Sequence, residues 1–570
     1  MAKYTDEQLI TNLKDLNLIN EQALSDAQKR SQDEGKSLSE VILETDLISD
    51  ENLSKVIAQI INLPYIKISD TSIDKQAISK IPHELLKKDN IIPFSIKDNI
   101  LNIATSDPES EMAQHGVSDL TTMKVKVHYA SRSDVEEAIS FLEPNLQEEY
   151  EVFMKKQLDN GVTPTSIINT TISTVVDMII KHAVRSRSSD IHVEPQKDYM
   201  LIRYRIDGEL HDKLKATKGL YLELVNKIKV LSRLRIDEHL NAQDGRLQYL
   251  VGDELVDIRV SVLPITRGEK VVMRVLSSRL RQFALHDLGM SEEDISKLTL
   301  SYRKPIGMVL ATGPTGSGKT TTIYAITRVL NTRNKNISTI EDPVEYDVPF
   351  INQIQVNIKS NMTFANGLRS ILRQDPDIIF VGEIRDNDTA SIAVNAATTG
   401  HLVLSTMHTN DAATSLVRLL EMGIEPYLIS STVNCIIGQR LLRKVCAQCK
   451  VSKLVERKAD KWYIEGQDLP LFKSIQEELI SHLKDTENFY VYEGKGCEVC
   501  HMSGYHGRVG IFEVLLISSE IRKLILMRSD ADDIRSLATK QGMKTMLQDG
   551  INKALNGVTS LEEVTKAILY

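Results

Sequence analysis

Apolar positions change their period several times along the chain. Over residues 13–57 they recur at helical spacing, and LKDLNLINEQALSDAQ (Leu13 to Gln28) returns weakly as ILETDLISDENLSKVI (Ile42 to Ile57), 29 residues on. Each copy reads as a helix end, a turn with acidic residues at the next N-terminus and a new helix, so two helical hairpins are expected to pack together. IIPFSI, NILNIA and KVKVHYA follow and read as strands separated by turn residues. EPNLQEEYE (Glu143 to Glu151) is polar, acidic and carries a proline. It predicts a linker at residues 146–160, closing a first domain at 1–145.

After Pro164, Ile168, Ile172, Val175, Val176 and Ile179 share one helical face, which means a buried stripe. YMLIRYRIDGEL then alternates, with Asp207-Gly208 as a hairpin turn, and ELVDIRVSVLP and KVVMRVL supply further strands. This predicts a small α+β domain at 161–285. From about Asp287 strand and helix alternate, as in an α/β core, and that domain is assigned 286–570.

Composition sets the scale. A chain of 570 residues with 42% hydrophobic content builds several packed cores, three or four domains by the size prior. MAKYTDEQLI lacks a basic-then-apolar signal, and no run of about 18 uninterrupted apolar residues occurs. A cytoplasmic protein is expected, meeting a membrane only through partners. The net charge of −9 counts against a protein that coats nucleic acid.

Chemistry concentrates in the last domain. ATGPTGSGKTTT satisfies GxxxxGK[ST] between the apolar run IGMVLA and the helical IYAITRVL. In that context Gly313, Pro314, Thr315, Gly316, Ser317, Gly318, Lys319, Thr320 and Thr321 form a phosphate loop. Backbone N–H groups approach the β-phosphate, Lys319 reaches the β/γ oxygens and the Thr320 hydroxyl ligates Mg²⁺. STIEDPVEY places Glu341, Asp342 and Glu345 at a strand end, where a carboxylate takes a proton from an attacking water or binds magnesium indirectly. DPDIIFVGEIRD ends a buried strand at Gly382-Glu383, the position of a Walker B acid beside Mg²⁺. GHLVLSTMHTN is flanked by His401 and His408; a lone histidine is more often structural, while His408 is placed to sense a γ-phosphate. In the preceding domain Arg246, Arg259, Arg267 and Arg274 sit on or beside strands. One such arginine is most simply solvated; several beside a nucleotide domain suit arginine fingers, in cis or from a neighbouring subunit.

Cys446-Ala-Gln-Cys449 and Cys497-Glu-Val-Cys500 are two knuckles separated by 47 residues. Two thiolates two residues apart hold one edge of a tetrahedral Zn²⁺ site and a second pair completes it. Disulfide pairing is the rival reading, and a cytosolic location disfavours it. Cys435 reads as a buried small residue.

In this order and at these separations, ATGPTGSGKTTT, TIEDPVEY, DPDIIFVGEIRD and GHLVLSTMHTN resemble the Walker A, aspartate, Walker B and histidine boxes of the secretion ATPase superfamily. SDIHVEP, RYRIDG, QDGR and LPITRGEKVVMRVL resemble the arginine-bearing domain that precedes that core, and the first 145 residues resemble the N-terminal domain of longer members. The resemblance is to type IV pilus assembly and type II secretion ATPases. It implies an α/β fold: a RecA-like P-loop core after the α+β domain, a helical and α+β N-terminal domain, and a zinc-binding tetracysteine insertion near 443–507. It implies ATP hydrolysis with Glu345 as general base, Glu383 supporting Mg²⁺ and water, and Arg259 and Arg274 on the phosphates, with Arg246 a third. It also implies a homo-hexamer on the inner face of the cell membrane, working through a platform protein and acting on pilin indirectly.

The tetracysteine element is shared by assembly and secretion ATPases and typically missing from retraction ATPases, so a retraction motor is disfavoured. Pilus extension leads, with GYHGRVGIFEV (Gly504 to Val514) leaning to that side. Type II secretion or DNA uptake through a pseudopilus is the alternative. A non-hydrolysing scaffold or zinc-ribbon nucleic-acid binder is the third reading, which intact Lys319, Glu345 and Glu383 and the acidic charge oppose. Where some relatives carry an RLG-centred cyclic di-GMP motif, this chain has Ser37-Leu38-Ser39. Serine cannot replace an arginine stacked on guanine, which counts against cyclic di-GMP binding.

Overall fold

The computed structural model describes residues 4–15, 21–44, 47–48, 50–68, 71, 73–107, 110, 112–140, 142, 145–159, 169–251, 254–276, 284–345, 347–458, 461–464, 467–468, 475, 478–479 and 488–569. It divides into two compact units, Pro64–Arg281 and Ala2–Leu63 together with Gln282–Tyr570.

In the first unit, strands Ile91–Lys97, Ile100–Thr105 and Lys124–Tyr129 form a three-stranded sheet, antiparallel then parallel. A six-stranded antiparallel sheet follows, ordered Glu209–Thr217, Tyr199–Ile206, Asp190–Pro195, Gly268–Leu276, Glu254–Ile265 and Gln243–Val251. Asp207 and Gly208, at φ 49° and 92°, make the two-residue turn between Tyr199–Ile206 and Glu209–Thr217. Positive φ at both positions matches the twist of a right-handed hairpin. The helix Asn169–Arg185 buries Ile172, Val175, Val176 and Ile179 against this sheet's core; Pro164 and Ile168 lie outside the described residues.

One expectation is corrected here. Most of the span read as a linker, 146–160, is the helix Leu146–Asp159. Leu146 and Tyr150, four residues apart on one face, are buried in the same core as Ile172 and Ile179. The acidic residues between them masked an apolar pair at helical spacing.

The second unit begins with helices Asp6–Asp15, Glu21–Glu34, Leu38–Glu44 and Asp50–Ile60, the first packed on the fourth and the second on the third. The offset of 29 superimposes Leu9 on Leu38, Leu13 on Ile42 and Leu24 on Leu53, and all six are buried. Its main sheet has seven strands, ordered Ile351–Gln355, Ile337–Glu341, Ile378–Val381, Leu402–Met407, Gly307–Thr312, Val433–Val445 and Tyr505–Leu516, parallel except for the last. Gly307–Thr312, Ile378–Val381 and Leu402–Met407 are buried at every position, as expected of strands covered on both faces. In such a sheet ligand-binding residues sit beyond the carboxyl ends of the strands, and all four sequence boxes end there. Among the described residues, no helix is long and apolar enough to cross a membrane.

Candidate functional site

The loop between strand Gly307–Thr312 and helix Lys319–Leu330 turns through Gly313, Gly316 and Gly318 at φ 148°, 79° and 87°. A Cβ at Gly313 would stand 2.3 Å from the Gln439 carbonyl oxygen, so only glycine fits. Pro314, Thr315 and Gly316 are exposed at the tip, Ser317 and Lys319 are buried, and Thr320 and Thr321 open the helix half-buried. The Lys319 ammonium donates to the carbonyls of Gly313 (2.8 Å) and Pro314 (2.9 Å). Burial pushes its pKa down, and the charge of Glu383 partly offsets that.

Three carboxylates stand at or just past strand ends, and their surroundings differ. Glu341 is buried and its oxygens accept from Tyr324 (2.5 Å), Thr339 (2.5 Å) and Gln353 (3.3 Å). Burial pushes its pKa up against those hydrogen bonds. A carboxylate so occupied braces the strand and is not placed to receive a proton from water. Glu345 lies four residues past the strand end and is half-buried. Glu383 follows the strand Ile378–Val381, and its Oε2 meets both Arg385 Nε (2.7 Å) and His408 Nε2 (3.1 Å). The histidine and Walker B boxes are thereby joined. Next to His408, the Thr409 backbone N–H donates to Thr312 Oγ1 (3.2 Å) and the two threonine hydroxyls are in contact, tying the histidine box to the end of the phosphate-loop strand. His401, by contrast, bonds the Ala396 carbonyl (3.0 Å), a structural role.

In the other unit, strand register lines up the arginines. Arg246 pairs with Arg259, Arg259 with Arg274, Arg274 with Asp190 and Asp190 with Arg205, a single cross-strand row on one sheet face. Like charges directly opposite one another are unfavourable, so such a row suits an anion. Arg274 Nε reaches Asp190 Oδ1 at 3.0 Å and Arg205 Nε lies 3.7 Å from its Oδ2. Arg267 falls outside this row, in the turn between Glu254–Ile265 and Gly268–Leu276. Asp190 and Arg385 were missed by residue-type reasoning, although SDIHVEP and GEIRD contain them.

The four knuckle cysteines converge. All four Sγ atoms lie within 4.8 Å of one another, with Cys446–Cys497 and Cys449–Cys500 at 3.8 Å and Cys497–Cys500 at 3.6 Å. Zn–S bonds of about 2.3 Å at tetrahedral angles put sulfurs about 3.8 Å apart, so the four thiols fit that ion. Cys435 is apart from them, fully buried, and burial raises its pKa to about 12.

Comparison with known proteins gives the family. The family described as type II/IV secretion system protein matches residues 168–566, and the MshEN domain matches 61–148. The type IV pilus assembly ATPase PilB of Myxococcus xanthus is 35% identical over 96% of each chain. PilB of Thermus thermophilus is 38% identical over 93% of this chain, which spans 59% of that protein's length. The type II secretion system protein E of Xanthomonas campestris is 34% identical over 97% of this chain and 96% of its own. The X-ray structure of the ATPase DotB of Yersinia pseudotuberculosis superimposes with a TM-score of 0.50 at 20% identity, over 71% of this chain and 95% of its own, a likeness of fold. Matched over most of its length, and carrying a complete phosphate loop with an acid past the end of the strand two places away in the same sheet, the chain belongs to the type II/IV secretion system protein family and is a P-loop ATP hydrolase.

Proposed function

We propose that this chain is the cytoplasmic motor ATPase that drives type IV pilus assembly, working as a homo-hexamer against a platform protein at the inner face of the cell membrane. The observation that carries the reading is similarity from end to end to a pilus assembly ATPase, with 96% of both chains aligned. The equally complete match to a type II secretion protein E keeps secretion as the second reading.

In this reading Lys319 leaves the Gly313 and Pro314 carbonyls for the β/γ-phosphate oxygens of ATP, and Thr320 and Glu383 hold Mg²⁺, which neutralises phosphate charge. Gly313 to Thr321 wrap the phosphates. Glu345 takes the proton of the attacking water, and His408, now bonded to Glu383, reports the γ-phosphate. Arg259 and Arg274, with Arg246, neutralise phosphate charge when the arginine row meets the nucleotide, with Asp190 holding Arg274 in place. Cys446, Cys449, Cys497 and Cys500 hold a structural Zn²⁺ that fixes the insertion. The domains of this reading keep the divisions 1–145, 161–285 and 286–570, with the helix Leu146–Asp159 packed into the core of the second. Cyclic di-GMP is not assigned a site.

The test replaces the chromosomal copy by Glu345→Gln, with protein abundance unchanged, and measures surface pilin. Loss of surface pili with pilin retained inside is expected. Normal pili would move the assignment to secretion or uptake, or the base away from Glu345, and the ATPase rate of the purified variant separates those two.

A further inference from the structure

We infer that Gln439 is a positioning residue of the phosphate loop, one that sets the direction of the Gly318 backbone N–H. The inference rests on the nucleotide reading of that loop and concerns a residue outside every sequence box.

Gln439 lies on strand Val433–Val445, next to Gly307–Thr312 in the sheet, and is 1% exposed. A glutamine so buried is uncommon unless its amide is used. Its Nε2 donates to the Ser317 carbonyl at 2.6 Å. Its backbone carbonyl oxygen would lie 2.3 Å from a Cβ on Gly313, and its Nε2 3.1 Å from a Cβ on Gly318. One residue therefore seats the loop at both ends, through its backbone at Gly313 and its side chain at Ser317.

The consequence follows from the peptide plane. Ser317 C=O and Gly318 N–H belong to one trans peptide, in which the two groups point in opposite directions. Holding the carbonyl on Gln439 turns the Gly318 N–H away from the strand. Without that bond the Ser317 carbonyl is free to swing, and a carbonyl oxygen turned to the other face would repel a phosphate that the N–H should bind. The strand makes a firm seat: Gly438, the residue before Gln439, has Glu513 closely packed where a Cβ would go, and just past the strand's end the Cys446 N–H donates to the Gly504 carbonyl at 2.9 Å.

The test uses the full-length protein and Gln439→Met, which keeps length and apolar stem and removes the donor, with Gln439→Glu, which sets an acceptor against the Ser317 carbonyl. Nucleotide binding is titrated with ADP and with AMP in Mg²⁺ buffer, beside thermal melting of the nucleotide-free protein. ADP affinity is expected to fall about tenfold in Gln439→Met and further in Gln439→Glu, with AMP affinity unchanged, because only ADP carries the β-phosphate. The preference for ADP over AMP shrinks accordingly. Equal losses for ADP and AMP, or intact ADP affinity with a lower melting temperature, would assign Gln439 to strand packing and overturn the inference. Should Gln439→Met fail to fold, Gln439→Asn, with the amide one methylene short, is measured in the same way. An unchanged ADP preference there overturns it too. If instead the loop does not bind nucleotide at all, wild type fails the ADP titration, which separates failure of the reading beneath from failure of this one.

Discussion

Replacing Glu563 by glutamine tests what fixes the last helix to the tetracysteine region. Arg443 reaches Glu563 with both ends of its guanidinium, Nε to Oε2 at 3.0 Å and Nη2 to Oε1 at 2.6 Å, and its backbone N–H adds a third bond at 3.2 Å. The side chains are 14% and 9% exposed, and the guanidinium lies 4.3 Å from the centre of the Tyr505 ring. Thr559 and Ser560, just before the helix Leu561–Leu569, bond the Arg443 carbonyl (2.7 Å) and the Tyr505 hydroxyl (2.8 Å). Glutamine keeps shape and leaves a buried cation without its counter-charge, a loss of about 3 kcal/mol. Because a chain of several domains has no single unfolding free energy, the readout is amide exchange of the segment 561–569, which should quicken on the order of 100-fold at pH 7. Replacing Arg443 and Glu563 together by methionine should restore much of the protection, since a buried pair exchanged for apolar contact is often neutral. The pH dependence has a fixed sign. Burial alone would raise the pKa of Glu563, but the hydrogen bonds and charge of Arg443 outweigh it and hold the pKa below the ordinary value. Its contribution is therefore present above the unfolded value, about 4.3, and disappears as pH falls through the depressed folded value. The gap between wild type and Glu563→Gln should close in acid; equal exchange of the two at pH 7 would refute the reasoning.

Glu341→Gln should keep most of the hydrolysis rate, because the Tyr324 and Thr339 hydroxyls can turn to satisfy an amide, while Glu345→Gln should keep ATP binding and lose about 10²–10⁴-fold in turnover; steady-state rates of the two variants decide which carboxylate is the base. Asp190→Asn should lower kcat about tenfold with ADP affinity unchanged, since Arg274 loses the carboxylate that orients it, and equal kcat in the two proteins would make the pair a surface contact. Chelation with verified metal loss should raise protease cleavage within 443–507; unchanged cleavage would count against a structural Zn²⁺.

How far the sequence was legible depended on whether information was local. Gly313 to Thr320 are contiguous, and the steric demand at Gly313 and the left-handed turns at Gly316 and Gly318 are written into residue type. The repeat was readable because Leu13 and Leu24 recur as Ile42 and Leu53 at one offset. The helix Leu146–Asp159 was not, because Leu146 and Tyr150 are two apolar positions in an acidic stretch, and what buries them is the core around Ile172, distant in sequence.

The arginine row shows why register lies beyond such reading. Arg246, Arg259 and Arg274 are separated by 13 and 15 residues, and only the pairing of three strands sets them side by side. Asp190 joins from a fourth strand, so the carboxylate that orients Arg274 comes 84 residues before it. The same holds at the phosphate loop. Motif reading assigns Lys319 and Glu383 to phosphate and metal, yet here the ammonium rests on two loop carbonyls and the carboxylate on Arg385 and His408. Each charge has a partner within the protein, as a charge withdrawn from water requires. On the proposed roles, nucleotide binding would be an exchange of partners, Lys319 leaving its carbonyls and Glu383 loosening from Arg385 and His408, and part of the interaction with phosphate and Mg²⁺ would be offset by the contacts given up.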